Sequence, residues 1–324
     1  MWRSRGMAAR LLFFPSLLFA LLAALRRAAY RVGALRSARL PVPVVVVGNI
    51  TVGGSGKTPL TLYLAQRLRA LGRRPGIVSR GYGGAGGRER EVRNDSSAAD
   101  VGDEPLLLKR HGDCPVFVGR NRAAAAGALL EAYPACDLIL CDDGLQHYAL
   151  HRDVEIAVLD RRGVMNGWRL PAGPLREDVL RLAQVDALVL NGLERAPLQH
   201  PQQFHMRLLG DRFRRLDRPS LGCAAADLSG LRLHAVAGIG EPQRFFDHLA
   251  TLGLVAEPHP FPDHHVYCRG DFDFGGDAIL TTEKDAVKFA GLAPLPVWVL
   301  PVHAEVDPDL AGFVVEKIDG RPPA

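Results

Sequence analysis

From residue 42 onward the chain alternates short apolar runs with longer amphipathic ones. The apolar runs at 42–48 ("VPVVVVG"), 74–81, 114–119, 136–144, 151–160 and 185–192 are mostly aliphatic and β-branched. Between several of them lie segments with helical spacing at 58–72, 101–112 and 120–134. Apolar strands separated by helices predict a parallel sheet covered on both faces. Pro59 falls in the first turn of the first helix, where its missing N–H does no harm. Acids at 103 and 104 start the second, where they suit the helix dipole.

The rhythm stops between about 195 and 220, a polar, proline-bearing stretch with one extended segment, "QFHMRLLG". It resumes with strands expected at 233–240, near 254–260, at the start of 277–291 and at 295–306, and a helix at 241–253. The expected organisation is an N-terminal segment (1–39), a core α/β domain (40–203), a linker (204–230) and a smaller α/β domain (231–324).

Composition changes the picture mainly at the N-terminus. Of 324 residues, 48% are hydrophobic, enough for real cores. The net charge of +5 is unevenly spread. Residues 1–39 hold eight arginines and no acid, and the remainder has 32 basic against 35 acidic residues. A mildly acidic body with one basic end excludes a general nucleic-acid binder and points to an anionic surface met at that end. Between Arg10 and Arg26 lie fifteen uncharged residues, "LLFFPSLLFALLAAL". A helix of that length reaches roughly 22 Å, short of a hydrocarbon core of about 30 Å, and Pro15 is expected to kink it. An arginine-flanked plug lying in or partly inserted into a lipid surface is the reading preferred. A short span, a cleaved signal and a buried core helix are the alternatives. The five cysteines (114, 136, 141, 223, 268) show no CxxC spacing, which suits free thiols in a reducing compartment.

The candidate chemistry begins at the end of the first strand, in "GNITVGGSGKTPL" (48–60). Strand, glycine loop and helix in that order are the context of a P-loop. Thr51, Val52, Gly53, Gly54, Ser55, Gly56, Lys57 and Thr58 are the expected phosphate cradle, with Lys57 toward the β- and γ-phosphates and the Thr58 hydroxyl toward Mg²⁺. The pattern G-x-x-x-x-G-K-[ST] is met at its end but has Thr51 in place of its first glycine. Asp142 and Asp143, closing the strand "LILCDDG", are the expected further Mg²⁺ groups. The fold class is therefore α/β with a P-loop NTPase-like parallel core. No N-K-x-D guanine signature is present, so ATP is expected over GTP.

Three other clusters could serve a phosphoryl transfer: "GDEP" (102–105), "FPDHH" (261–265) and "TTEKDAVK" (281–288). With "TVGGSGKTP", "SRGYGG", "DDGLQH" and "LPAGPLRE", in this order along the chain, they resemble the tetraacyldisaccharide 4′-kinase family of lipid A synthesis, over about 45–290. The Thr51 departure resembles that family's own version of the loop. The resemblance implies ATP-dependent phosphorylation of the 4′-hydroxyl of tetraacyldisaccharide 1-phosphate at the cytosolic face of a bacterial inner membrane. Asp103 and His264 are implied as a catalytic pair beside Lys57, and Arg80, Gln146, His147, Asn166 and Arg176 as groups around phosphates or sugar. The implied partners are the lipid substrate and the membrane surface, with no nucleic acid and no protein partner. A membrane-associated ATPase or GTPase switch, with water as acceptor, is the competing reading.

Overall fold

The structure is a computed structural model, described here for residues 2–84, 88–289 and 291–320. Helices α1 (Met7–Leu11) and α2 (Phe13–Arg31) open the chain. Then come β1 (Val44–Gly48), α3 (Lys57–Ala70), β2 (Pro75–Ser79), β3 (Arg90–Glu91), α4 (Ala98–Val101), α5 (Asp103–Gly112), β4 (Val116–Val118) and α6 (Arg122–Ala132). Strands β5 (Leu138–Asp142), β6 (Val154–Asp160), β7 (Ala187–Asn191), β8 (Gln203–Leu209), β9 (Arg212–Arg215) and β10 (Gly222–Ala224) follow. The last part holds β11 (Leu233–Ala237), α7 (Pro242–Thr251), β12 (Ala256–Pro260), β13 (Ala278–Thr282), α8 (Glu283–Ala286), β14 (Val297–Leu300), β15 (His303–Asp307) and α9 (Leu310–Asp319).

The first sheet has the order β15-β8-β7-β6-β1-β5-β2-β4-β3. Its central strands are parallel, and only the edge pairs β15–β8 and β4–β3 run antiparallel. The valines of β1 explain why it sits in the middle. Val45 and Val47 pack with Leu60, Leu64 and Leu68 of α3, and Val44 and Val46 with Ala125, Ala126 and Leu129 of α6. A strand buried on both faces cannot alternate polar and apolar residues, hence the unbroken apolar run. Each fully buried aliphatic side chain contributes roughly 1.5–3 kcal/mol. The second sheet, β10-β9-β14-β13-β11-β12, is parallel over its last four strands.

Two stretches differ from the sequence expectation. The 204–230 segment, read as a linker with one extended stretch, carries that stretch as β8 in the first sheet and adds β9 and β10 in the second. In β8 only Phe204 and Met206 are buried, and in β9 only Phe213, so charged neighbours mask the pattern. The run expected as one strand at 295–306 is two, and β15 returns to the first sheet.

Pro15 does not kink a continuous helix. The chain instead breaks at Leu12, between α1 and α2, and Pro15 lies in the first turn of α2. Lacking an N–H, proline cannot bond the carbonyl four residues back, so the helix ends before it. Helix α2 has 19 residues and is long and apolar enough to cross a membrane by length and composition. Phe14, Leu17, Leu18, Leu21, Leu22 and Leu25 are exposed along it. Its inner side is fastened to the body: the Ser16 hydroxyl donates to the Arg169 carbonyl at 2.9 Å, and Phe13 packs on Trp168 with centroids 5.0 Å apart. Ahead of it, Trp2 Nε1 donates to Pro171 O and Arg5 Nε to Asn166 O, both at 3.0 Å.

Candidate active site

The candidate residues gather at the C-terminal ends of parallel strands, where loops and helix N-termini leave backbone amides free for ligands. The loop after β1 turns through Gly53 and Gly56, both at φ +93°. Gly56 is required twice over: that φ disfavours side chains, and a Cβ there would stand 2.5 Å from Asn191 Nδ2. Thr51 is not in the left-handed region, so the first glycine of the generic pattern is not needed. The threonine forms an isolated antiparallel bridge with Leu175. Val52 N donates to Pro174 O at 2.9 Å, which commits that amide to the loop's own frame. The amides of Gly53, Gly54, Ser55 and Gly56 make no backbone hydrogen bonds among the described residues.

Three side chains with no sequence motif brace the loop. Asn49 Nδ2 donates to Ser55 Oγ at 3.0 Å, Asn191 Nδ2 to Ser55 O at 3.0 Å, and Arg162 Nη2 to Gly54 O at 3.0 Å. Asn49 and Asn191 are polar residues following buried strands, which is the only local signal they give. Gln146 Nε2 donates to Asn49 O at 2.9 Å.

Lys57 is nearly buried, and its Nζ lies 3.7 Å from Asp143 Oδ1. Arg176 Nη1 donates to both Asp143 oxygens at 3.1 and 3.2 Å. Burial opposes charge on Asp143, but the Lys57 and Arg176 cations hold its carboxyl below the usual range. Asp142 behaves oppositely. It is fully buried, accepts from Thr61 Oγ1 at 3.0 Å, and lies 3.5 Å from Thr58 Oγ1. Burial, then the charge of Glu104, push it up to about 7. A buried carboxyl beside a threonine hydroxyl, short of positive charge, is the hard-oxygen donor set that a Mg²⁺ ion fits.

The second sheet contributes from its own strand ends. His264, after β12, sets its Nδ1 3.0 and 3.1 Å from the two oxygens of Asp103, which is 4% exposed at the start of α5. His264 has φ +60°, a conformation costing roughly 1–3 kcal/mol of the kind that collects at functional sites. Burial disfavours charge on both groups. Their mutual hydrogen bond nevertheless lowers Asp103 and raises His264 from their ordinary values. Lys284, after β13, bridges Glu104 and Asp263 at 3.0 Å each and lies 3.5 Å from His264 Nε2. Tyr82 packs on His264 with centroids 4.9 Å apart. A Cβ on Gly240, after β11, would stand 3.0 Å from Gly54 N, so this loop sits against the glycine loop.

Other expected residues do different work. Asp285 is fully buried and accepts from Gly238 N, Tyr267 Oη and Thr282 Oγ1, which makes it a structural hub. His265 pairs with Asp271 at 3.0 Å. Asn166 donates to Ala172 O and accepts from Trp168 N, so it braces the 166–172 turn. His147 accepts from Arg122 N at 3.3 Å, and burial and the nearby arginines lower it to about 4. Arg80 lines a cavity of about 280 Å³ with Tyr82, Arg88, Arg90, Asp100 and Arg120.

Fold and site together describe a mixed α/β protein with a large parallel sheet and a ligand cleft at its strand ends. Comparison with known proteins is specific. The family model for tetraacyldisaccharide-1-P 4′-kinase matches residues 8–319. The tetraacyldisaccharide 4′-kinase of Azoarcus sp. (strain BH72) is 54% identical over 327 residues, covering 100% of this chain and 96% of that one. The protein of the same name from Dechloromonas aromatica is 56% identical over 286 residues, covering 87% and 86%. A crystal structure of LpxK from Aquifex aeolicus in complex with ATP superposes with TM-score 0.81 at 30% identity, covering 96% of this chain and 100% of that one. The chain belongs to the tetraacyldisaccharide 4′-kinase family.

Proposed function

We infer that this chain transfers the γ-phosphoryl group of ATP to the 4′-hydroxyl of a tetraacyldisaccharide 1-phosphate, giving lipid IVA. Beside the family match, the observation that supports this most is the Asp103–His264 pair, assembled from both sheets. A hydrolytic switch has no need of a proton acceptor brought in from a second unit, so that reading is not favoured.

The hydroxyl oxygen attacks the γ-phosphorus, the bond from phosphorus to the ADP oxygen breaks, and the hydroxyl proton passes to the Asp103–His264 pair. The pair acts as one coupled proton acceptor. Lys284 offsets the surrounding acids and holds the ring in place. The loop 51–58 is a P-loop: amides from Gly53 onward cradle the phosphates, and Lys57 neutralises charge as it builds on them. Thr58, Asp142 and Asp143 are the residues that would hold Mg²⁺, which supplies charge neutralisation at the phosphates when bound. Arg80 and the arginines beside it suit a phosphate of the substrate. The working units are a core (40–203, with β15 and α9 added) and a smaller unit on the second sheet, joined through 204–230.

Helix α2 and its arginines attach the chain to the cytosolic face of the inner membrane. The apolar face is exposed, and flanking arginines add about 1 kcal/mol each near anionic lipid. Removing residues 1–39 is expected to abolish co-sedimentation with anionic vesicles, and retained binding would place the lipid contact elsewhere. Asp142→Asn is expected to raise the Mg²⁺ concentration for half-maximal turnover about tenfold or more. A Mg²⁺ titration showing no shift would remove Asp142 from the metal site. The reaction itself is tested with γ-labelled ATP, Mg²⁺ and tetraacyldisaccharide 1-phosphate in detergent. Label in the lipid supports the kinase, whereas ATP consumption without labelled lipid would support the switch.

A further inference from the structure

Away from this cleft, the second sheet brings together three metal-ligating side chains that the transfer reaction does not use. His234 lies on β11, and Glu257 and His259 lie two residues apart on the neighbouring edge strand β12. The parallel register sets His234 opposite Glu257 and Val236 opposite His259. Because side chains two apart share a face, all three project from the same side. His234 Nδ1 is 2.9 Å from His259 Nε2 and 3.6 Å from Glu257 Oε2. One donor atom from each residue lies within 4.8 Å of the others.

We propose that His234 Nδ1, His259 Nε2 and a Glu257 carboxylate oxygen form a binding site for a divalent transition metal of the zinc class. The outer surroundings support this. His234 is 5% exposed, and its Nε2 stands 2.6 Å from Gly275 O. That contact puts the ring proton on Nε2, where it donates to the carbonyl, and leaves the Nδ1 lone pair facing the cluster. A carbonyl fixing the far nitrogen is the usual arrangement behind a metal-bound histidine. Gly276 secures it, because a Cβ there would fall 2.7 Å from the ring. Phe274 stacks on both imidazoles, with centroids at 4.2 and 4.4 Å, and shields one side. Two imidazoles and one carboxylate favour Zn²⁺ or Cu²⁺ over Mg²⁺. Tetrahedral zinc with bonds of about 2.0 Å would separate the two nitrogens to roughly 3.3 Å. His259, half-buried on an edge strand, can make that adjustment. Strand β12 runs directly into residues 261–265, so an ion here would pin the strand that delivers His264.

The test uses the full chain in detergent with excess Mg²⁺, so that the nucleotide-site acids are saturated. Co²⁺ titration is expected to give one equivalent with visible d–d bands and no thiolate charge-transfer band, and Zn²⁺ to compete for it. His259→Ala and Glu257→Gln both alter partly or fully exposed side chains. The first should weaken binding by more than the roughly 10–100-fold cost of losing an outer partner, and the second by less. Metal-free melting temperatures should stay near wild type, and Zn²⁺ should raise that of the parent most and that of His259→Ala least. Binding unchanged in His259→Ala, a thiolate band, or no binding in the parent would overturn the proposal and leave a plain imidazole hydrogen bond.

Discussion

Lys57→Ala is expected to lower kcat by at least roughly 10²–10³-fold, the scale set by removing one preorganised charge stabiliser. The argument is electrostatic. Lys57 is a nearly buried cation whose acidic neighbour, Asp143, is 3.7 Å away and already shared with Arg176. Its charge is therefore held in reserve for an anion at the loop. The ATP dissociation constant should rise less than kcat falls, because the lysine meets more charge in the transition state than in the ground state. The lysine belongs to α3, whose packing rests on Leu60, Leu64 and Leu68, so the variant should keep its circular dichroism spectrum and melting temperature. Turnover within tenfold of wild type would show that Lys57 does not serve the phosphates.

The second large effect concerns the proton. Asp103→Ala and His264→Ala are each expected to reduce kcat about 10²–10⁴-fold with little change in ATP affinity. With one proton path shared as proposed, the double variant should be scarcely worse than the poorer single one. Multiplying losses would show independent roles. The pH dependence follows from the shift. On the proposed mechanism the pair accepts a proton only when His264 is neutral, and the Asp103 hydrogen bond raises His264 above its ordinary 6.5. Turnover should therefore climb with rising pH and level off above that raised value. In His264→Gln the titrating imidazole is gone, so the neutral-range limb should vanish. A limb that persists there would assign the titration to another group.

What the sequence made readable was whatever is local. The glycine loop, its lysine and the first turn of the helix behind it lie within thirteen consecutive residues, and the valines of β1 declare a strand buried on both faces. Asp142 and Asp143 stand at a strand end for the same local reason. Long-range pairing was not readable from spacing. Asp103 and His264 are 161 residues apart, and only the resemblance joined them. Asn49, Asn191 and Arg162 carry no motif, since bracing a loop needs only a donor at the right distance. Strand β8 showed as the one extended stretch, whereas β9 was hidden because Phe213 alone is buried along it, between exposed arginines. The pairing of His234 with Glu257 and His259 depends on strand register, which no local pattern reveals.

The attachment of the N-terminal segment to the turn at 166–171 has a geometric consequence. That turn runs on to Pro174 and Arg176, which bond to Val52 and Ile50 of the glycine loop. Helix and loop are thus links in one short chain of contacts. With α2 seated in the bilayer, the body could not tumble about a floppy leash and would meet its substrate at a fixed tilt. The search for a sugar hydroxyl would then become a planar one, in which lateral diffusion of lipid replaces reorientation of protein.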